Sequence, residues 1–165
     1  MEKNIDMLGA IEVAMEAERK AQTFYEKGAE KTEHPKGKSL FLQLAEFEQS
    51  HYDHLKKLHD SLNSSGQYIR YDGTSFGKSE IEAAGEIEGE PKKSEVLEIL
   101  TTAIEAERQA QTRYATLAGQ TTDLSGQEMF KKLSEEEGVH LRILNDEYYN
   151  IANQGSWSSK TLWSE

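Results

Sequence analysis

The chain has 165 residues, no cysteine, and 30 acidic against 19 basic side chains, for a formal net charge of −11. Such a length suits one domain with its own buried core, while the lack of cysteine excludes disulfides, iron–sulfur clusters and any cysteine-bound iron or zinc within the chain. No basic stripe is present to receive nucleic acid, no run reaches the roughly 18 apolar residues of a membrane span, and the polar start Met1-Glu2-Lys3-Asn4 has no apolar signal core, so the cytoplasm is the expected address.

Apolar residues at helical spacing (Leu8, Ile11, Met15, Tyr25, Ala29) predict a first helix from Ile5 to about Thr32. Glu33-His34-Pro35-Lys36-Gly37 breaks it, with Pro35 suited to the first turn of the next helix. That second helix runs from about Lys38 to Leu62 on Phe41, Leu44, Leu55, Leu58 and Leu62, and Asn63-Ser64-Ser65-Gly66 stops it. From Gln67 to Lys93 the period is lost among Gly73, Gly77, Gly85 and Gly89, although residues 80–88 suit a short helix. Ser94 is a candidate cap for a third helix carrying Leu97, Leu100, Ile104, Tyr114 and Ala118. After a turn at 121–124, Ser125 and Glu128 have the spacing of a capping box for a fourth helix. Its stripe is Phe130, Leu133, Leu144 and Ile151, and it fades near Gly155; Trp157 and Trp163 make the tail too aromatic for a linker.

Helices of about 25 residues would each span about 37 Å. The tight joints make the first and second helices antiparallel neighbours, and likewise the third and fourth. An antiparallel neighbour needs only about 2–8 residues of loop. The long stretch 64–93 can instead cross the full bundle and start the third helix parallel to the second. The expected fold is all-α: a four-helix bundle of two antiparallel hairpins, residues 5–63 and 94–153, in a single domain over 1–165.

The two halves repeat each other. Shifting the chain by 89 residues matches 17 of the 40 residues from Glu16 to Leu55 without a gap, including Gly37 with Gly126 and Phe41 with Phe130. Glu18 returns as Glu107, and Glu48-Gln49-Ser50-His51 as Glu137-Gly138-Val139-His140. Each of these six residues falls on the apolar stripe of its helix, and a Glu and a His three positions apart share one face. No lysine or arginine falls on the stripes to pair with the acids. Unpaired buried carboxylates cost several kcal/mol each, so either divalent cations or protons must neutralise them. Four carboxylates and two imidazoles are the inventory of a two-metal site in a bundle core. Oxygen-rich ligands with one imidazole per metal suit iron or manganese, and zinc also accepts them. The alternative is a metal-free bundle of protonated, mutually hydrogen-bonded carboxyls.

Around these ligands, Gln22 and Gln111 face inward and are candidates to orient them. Tyr25 and Tyr114 read as core tyrosines, with a hydrogen bond to a carboxylate or a radical role as the alternatives. His34, His54 and His59 are expected to face solvent.

With Glu18-x-x-Ala21-x-x-x-Tyr25, its repeat Glu107 to Tyr114 and the two Glu-x-x-His pairs, the chain resembles the ferritin-like diiron proteins from about Ile5 to Ile151, and is most similar to the rubrerythrin group. The resemblance implies two iron ions, with Glu18 and Glu107 as terminal ligands, Glu48 and Glu137 bridging both, and His51 and His140 each completing one iron. It departs at two points: this chain has no cysteines for a rubredoxin-type electron relay, and Ala110 stands where rubrerythrins carry a further carboxylate. The remaining six-ligand set is similar to that of bacterioferritin. Two functions follow from the resemblance. One is a redox enzyme that reduces a small-molecule oxidant, hydrogen peroxide or dioxygen, with electrons from an external rubredoxin-like donor. The other is a ferroxidase or iron-storage protein. A homo-oligomer is implied in either case, a homodimer for the first and a cage for the second.

Overall fold

A computed structural model describes residues 6–74 and 90–158. Four α-helices form in order: α1 (Met7–Lys31), α2 (Pro35–Ser64), α3 (Glu90–Gln120) and α4 (Leu124–Gln154). They make the all-α four-helix bundle expected from the periodicity, and no strand occurs among the described residues. None of these helices is long and apolar enough to cross a membrane. The proposed start at Ile5, the short helix at 80–88 and Trp163 lie outside the described residues.

Local chemistry sets the ends. The Asp6 carboxylate accepts the Gly9 amide at the start of α1, and Pro35 takes the first position of α2, where a missing N–H costs nothing. Gly66, at φ 74°, follows the end of α2, and Gly155, at φ 71°, closes α4. Two boundaries differ from expectation. The third helix begins at Glu90, ahead of Ser94, because Pro91 is tolerated in a first turn. The fourth is capped by Asp123, which accepts the Gly126 amide at 3.0 Å, and Ser125 with Glu128 is already inside the helix. The duplication explains the second difference. Asp123 is the repeat counterpart of His34, the residue that caps α2 by accepting the Lys36 amide at 3.1 Å. One turn earlier, Thr32 and Thr121 are also repeat partners, and each hydroxyl donates back to the last turn of its helix, at Gly28 and Leu117.

Packing is extensive within each hairpin and sparse between α1 and α3. Cross-bonds give the orientation: the Tyr25 hydroxyl reaches Glu107, and the Tyr114 hydroxyl reaches Glu18. The order 18 to 25 on α1 thus meets 114 to 107 on α3, so these helices run antiparallel and α3 lies parallel to α2. The described part of the crossover accordingly returns along the α2–α4 seam. Tyr68 sits over Gly126, Tyr71 packs on His54, and Thr74 reaches Ser50.

Two apolar clusters fill the bundle. One holds Tyr25, Phe41, Leu44, Leu100, Leu144 and Trp157; the other holds Ile11, Leu55, Leu58, Tyr114, Phe130 and Leu133. Each fully buried Leu or Phe contributes about 1.5–3 kcal/mol, which lets the layer between the clusters be polar. The tail adds to the first cluster. Trp157 is buried against Phe41, Ser158 donates its amide to Glu147 at 2.7 Å, and the Lys36 ammonium donates to the Ser158 carbonyl at 3.1 Å.

The repeated Gly37 and Gly126 make room for aromatic plugs. A methyl at Gly37 would stand 2.3 Å from the Trp157 ring, and one at Gly126 would stand 3.0 Å from Tyr68. Gly37→Ala is therefore expected to destabilise by about 1–3 kcal/mol through overpacking. Gly119→Ala, on a helical surface with open space around it, should stabilise by about 0.5–1 kcal/mol. Urea melts of the two variants check the opposite signs.

Candidate metal centre

The polar layer consists of the six repeated residues. Glu18, Glu48, His51, Glu107, Glu137 and His140 are each no more than 2% exposed. One comes from α1, two from α2, one from α3 and two from α4. Their ligand atoms fall into two groups, Glu18 with Glu48, His51 and Glu137, and Glu107 with Glu48, Glu137 and His140; within each group the atoms lie within 4.8 Å of one another, close enough to hold a metal ion. Glu48 and Glu137 belong to both groups.

The distances carry the same pattern. Glu18 stands 3.7 Å from His51 Nδ1 and Glu107 stands 3.5 Å from His140 Nδ1, so each serves one imidazole. Glu48 lies 3.8 Å from His51 Nδ1 and 3.5 Å from His140 Nδ1. Glu137 spans the pair as well, with Oε1 at 2.8 Å from His51 Nδ1 and Oε2 at 3.8 Å from His140 Nδ1. The 2.8 Å approach does not meet hydrogen-bond geometry. His51 Nδ1, both Glu137 oxygens, Glu18 Oε2, Glu48 Oε1 and Glu107 Oε2 all remain buried without a hydrogen bond. Buried acceptors left unsatisfied are costly. These point at one another around two centres, a donor set of oxygens and one imidazole apiece that fits divalent iron or manganese.

Tyrosine hydroxyls decide which acids ionise without metal. Tyr25 donates to Glu107 Oε1 at 2.5 Å, and Tyr114 donates to Glu18 Oε1. Burial pushes both tyrosines far up, so they stay donors. Burial also pushes every acid in the layer up. At Glu18 this is outweighed by the close approach of Glu48 and His51 and by the Tyr114 hydrogen bond, and the net shift is downward. At Glu107 the close approach of Glu137 and His140 and the Tyr25 hydrogen bond win against burial and hold the carboxyl at about 2. Glu48 and Glu137 receive no such donor. Burial, and then the charges of Glu18 and Glu107, raise both well above the usual carboxylate range. Burial lowers the two histidines, but their acidic neighbours win and raise both. Without metal, these shifts favour the ionised form of Glu18 and Glu107 and the protonated form of Glu48, Glu137 and both imidazoles.

One functional residue is absent from the sequence reading. Glu136, beside Glu137, places Oε1 at 2.9 Å from His51 Nε2, and that same oxygen accepts the Tyr71 hydroxyl at 2.5 Å. Its other oxygen accepts the Thr74 amide at 2.7 Å. Glu136 lies off the stripe in a Glu135-Glu136-Glu137 run, so neither period nor repeat distinguishes it; only the crossover folding over it does. Two expectations are corrected. Gln22 accepts from Arg19, which also donates to Gln49, because a half-buried amide finds a partner at the rim sooner than in the core; Gln111 is likewise half-buried. His34, His54 and His59 are also half-buried, by the tail, the crossover and α1: His34 caps α2, His54 stacks edge-on with Tyr71 at 4.8 Å, and His59 faces Glu12 at 3.7 Å.

The two seams differ in access. The crossover closes the α2–α4 side over Glu136. Between α1 and α3 the small side chains of Ala17, Ala21, Ala106 and Ala110, with Phe24, line a cleft of about 560 Å³ that reaches Glu18, Glu48, Glu107 and Glu137. Ala110, where rubrerythrins are expected to carry another carboxylate, is part of that opening.

A profile of the rubrerythrin family matches residues 1–83 and 98–160. No curated protein matches the chain. Among solved structures, a hypothetical protein from Pyrococcus furiosus superposes with a TM-score of 0.72 over 92% of this chain and 93% of that one, at 24% identity, a likeness of fold. Because the profile takes in both halves of the duplication and all six residues of the polar layer, the chain belongs to the rubrerythrin family.

Proposed function

We propose that the protein is a dinuclear-iron redox protein that reduces hydrogen peroxide or dioxygen with electrons from outside the chain. The observation that carries this reading is the sharing of Glu48 and Glu137 between the two ligand groups. Glu48 and Glu137 would hold both ions, Glu18 with His51 would complete one position, and Glu107 with His140 would complete the other. A bound ferrous pair supplies two reducing equivalents and open coordination positions.

The chain's own residues do the rest. Tyr25 and Tyr114 hold one oxygen of each terminal carboxylate and leave the other turned inward. The apolar clusters above and below close the two ends of the layer. The α1–α3 cleft admits a small oxidant to the bridging acids. Electrons come from a separate rubredoxin-like protein, since a chain without cysteine holds no thiolate iron of its own. The working state is a homodimer in the cytoplasm.

The second reading, iron oxidation for storage, draws support from the six-residue set with Ala110 in place of a further acid. One experiment separates them. In oxygen-free solution, protein loaded with two ferrous ions per chain should be oxidised rapidly by one equivalent of hydrogen peroxide, and re-reduced slowly unless a rubredoxin-like donor is added. Storage predicts instead continued uptake of ferrous ion, with iron beyond two per chain in a large assembly. Optical spectra, iron analysis and size in solution read the outcome.

A further inference from the structure

The cleft between α1 and α3 is larger and more apolar than hydrogen peroxide or dioxygen requires. Its volume is about 560 Å³, within the range of about 300–1,000 Å³ in which pockets enclose whole organic ligands. Its lining is graded. At the mouth Val13 is 61% exposed, and Glu16 pairs with Lys20 along α1 at 3.4 Å. Two further polar side chains there are engaged on their own helix, Thr102 with the Glu98 carbonyl and Gln109 with Glu105. The walls are carbon. Ala21 and Phe24 pack against one apolar cluster and Ala110 against the other. The duplication pairs Ala17 with Ala106 and Ala21 with Ala110, so both walls are kept small. Beneath them lie the four buried acids, each with an oxygen that has no hydrogen bond. Pockets with apolar walls and a few convergent polar groups select an amphiphile, held by its carbon part and oriented by its polar end. Neither hydrogen peroxide nor dioxygen has carbon for such walls to hold.

We infer that this site takes organic hydroperoxides with a short, uncharged apolar tail, and that Ala21, Phe24 and Ala110 are its specificity-determining residues. This rests on the redox reading above. The O–O bond of the hydroperoxide breaks, two electrons come from the ferrous pair and two protons from solvent, and one alcohol and one water are released. The tail lies along the alanines and Phe24 while the peroxide end meets the acid layer. Each methylene buried there is worth about fourfold in binding.

Two measurements test this. The first involves no turnover: binding of straight-chain alcohols, propanol to hexanol, to the full chain, metal-free and zinc-loaded, followed by calorimetry and saturation-transfer NMR. Affinity is expected to rise about fourfold per methylene and to collapse in Ala110→Phe, which fills the cleft. The second is rapid-mixing oxidation of the ferrous-loaded chain by hydrogen peroxide and by cumene hydroperoxide. Ala110→Phe should slow the cumene compound at least about tenfold more than hydrogen peroxide. Ala21→Leu should act the same way by a smaller factor, and it carries the test if thermal melts show that Ala110→Phe does not fold. Alcohol affinity that ignores tail length would overturn the inference and leave the redox reading standing. So would equal slowing of both oxidants in the two variants. Alcohol binding that vanishes as the chain self-associates would assign the cleft to a second copy, and would also overturn it. A loaded chain that neither peroxide oxidises would overturn both readings.

Discussion

Adding ferrous or manganous ion to the metal-free protein at neutral pH is expected to raise its melting temperature by about 10–20 °C. The size follows from linkage. An ion present at one hundred times its dissociation constant stabilises the fold by about 2.7 kcal/mol, so a pair gives about 5 kcal/mol, and a chain of this size shifts by about 2–4 °C per kcal/mol. The pH dependence has a definite sign. Glu48, Glu137, His51 and His140 have folded-state values above their ordinary ones. Their stabilisation of the metal-free fold is complete below the unfolded values and is lost as pH rises, from 4.5 upward for the acids and from 6.5 upward for the imidazoles. Glu18 and Glu107 act oppositely, losing their contribution as pH falls below 4.5, through about 2 for Glu107. Metal-free protein should therefore melt lower at pH 8.5 than at pH 6. The rise on adding metal should be larger at pH 8.5, because the ions displace protons from those four groups. Calorimetric melts at the two pH values, with and without metal, measure both effects; equal curves with and without metal would favour the inert, protonated bundle.

Glu48→Gln and Glu137→Gln should separate metal binding from folding. Burial and the neighbouring charges favour the protonated form of both acids in the metal-free layer, and a neutral amide of the same shape replaces a neutral carboxyl at little cost. The metal-free melting temperature should stay within about 2 °C of wild type, under about 1 kcal/mol for a chain of this size. A bridge serves both ions, so either change should weaken the binding of the whole pair by about a hundredfold or more, beyond the 10–100-fold of an outer partner. Glu18→Gln should behave differently. Glu18 accepts the Tyr114 hydroxyl and its neighbours favour the ionised form, so the metal-free fold should lose about 1.5–3 kcal/mol with that charge-assisted bond. Only the ion beside His51 should be weakened directly. Metal titrations of the three variants in which Glu18→Gln and the two bridge variants look alike would sink the distinction between terminal and bridging acids.

Four helices, their pairing into hairpins and the inward turn of six polar residues were legible because each rests on local repetition. A stripe of period 3.6 selects one face of a helix, and a gapless shift of 89 residues places Glu18, Glu48 and His51 on the same faces as Glu107, Glu137 and His140. The length of the crossover then dictated that α3 runs parallel to α2. Boundaries were less legible where capping residues compete. Ser125 has a box partner in Glu128, yet Asp123 caps α4, and the repeat with His34 marks that place while the local motif does not.

Relations between segments distant in sequence were decided only by tertiary structure. Which acid each tyrosine reaches depends on α1 facing α3: Tyr25 belongs to Glu107 and Tyr114 to Glu18, not each to the glutamate of its own motif. That exchange sets the proton pattern of the layer. Glu136 gains its place behind His51 because the crossover brings Tyr71 and Thr74 across the α2–α4 seam. The tail gains its place through Gly37, whose missing side chain leaves space for Trp157. A helical period records which way a side chain points from its own axis, whereas the partner it finds there is set by how the helices and their connections pack.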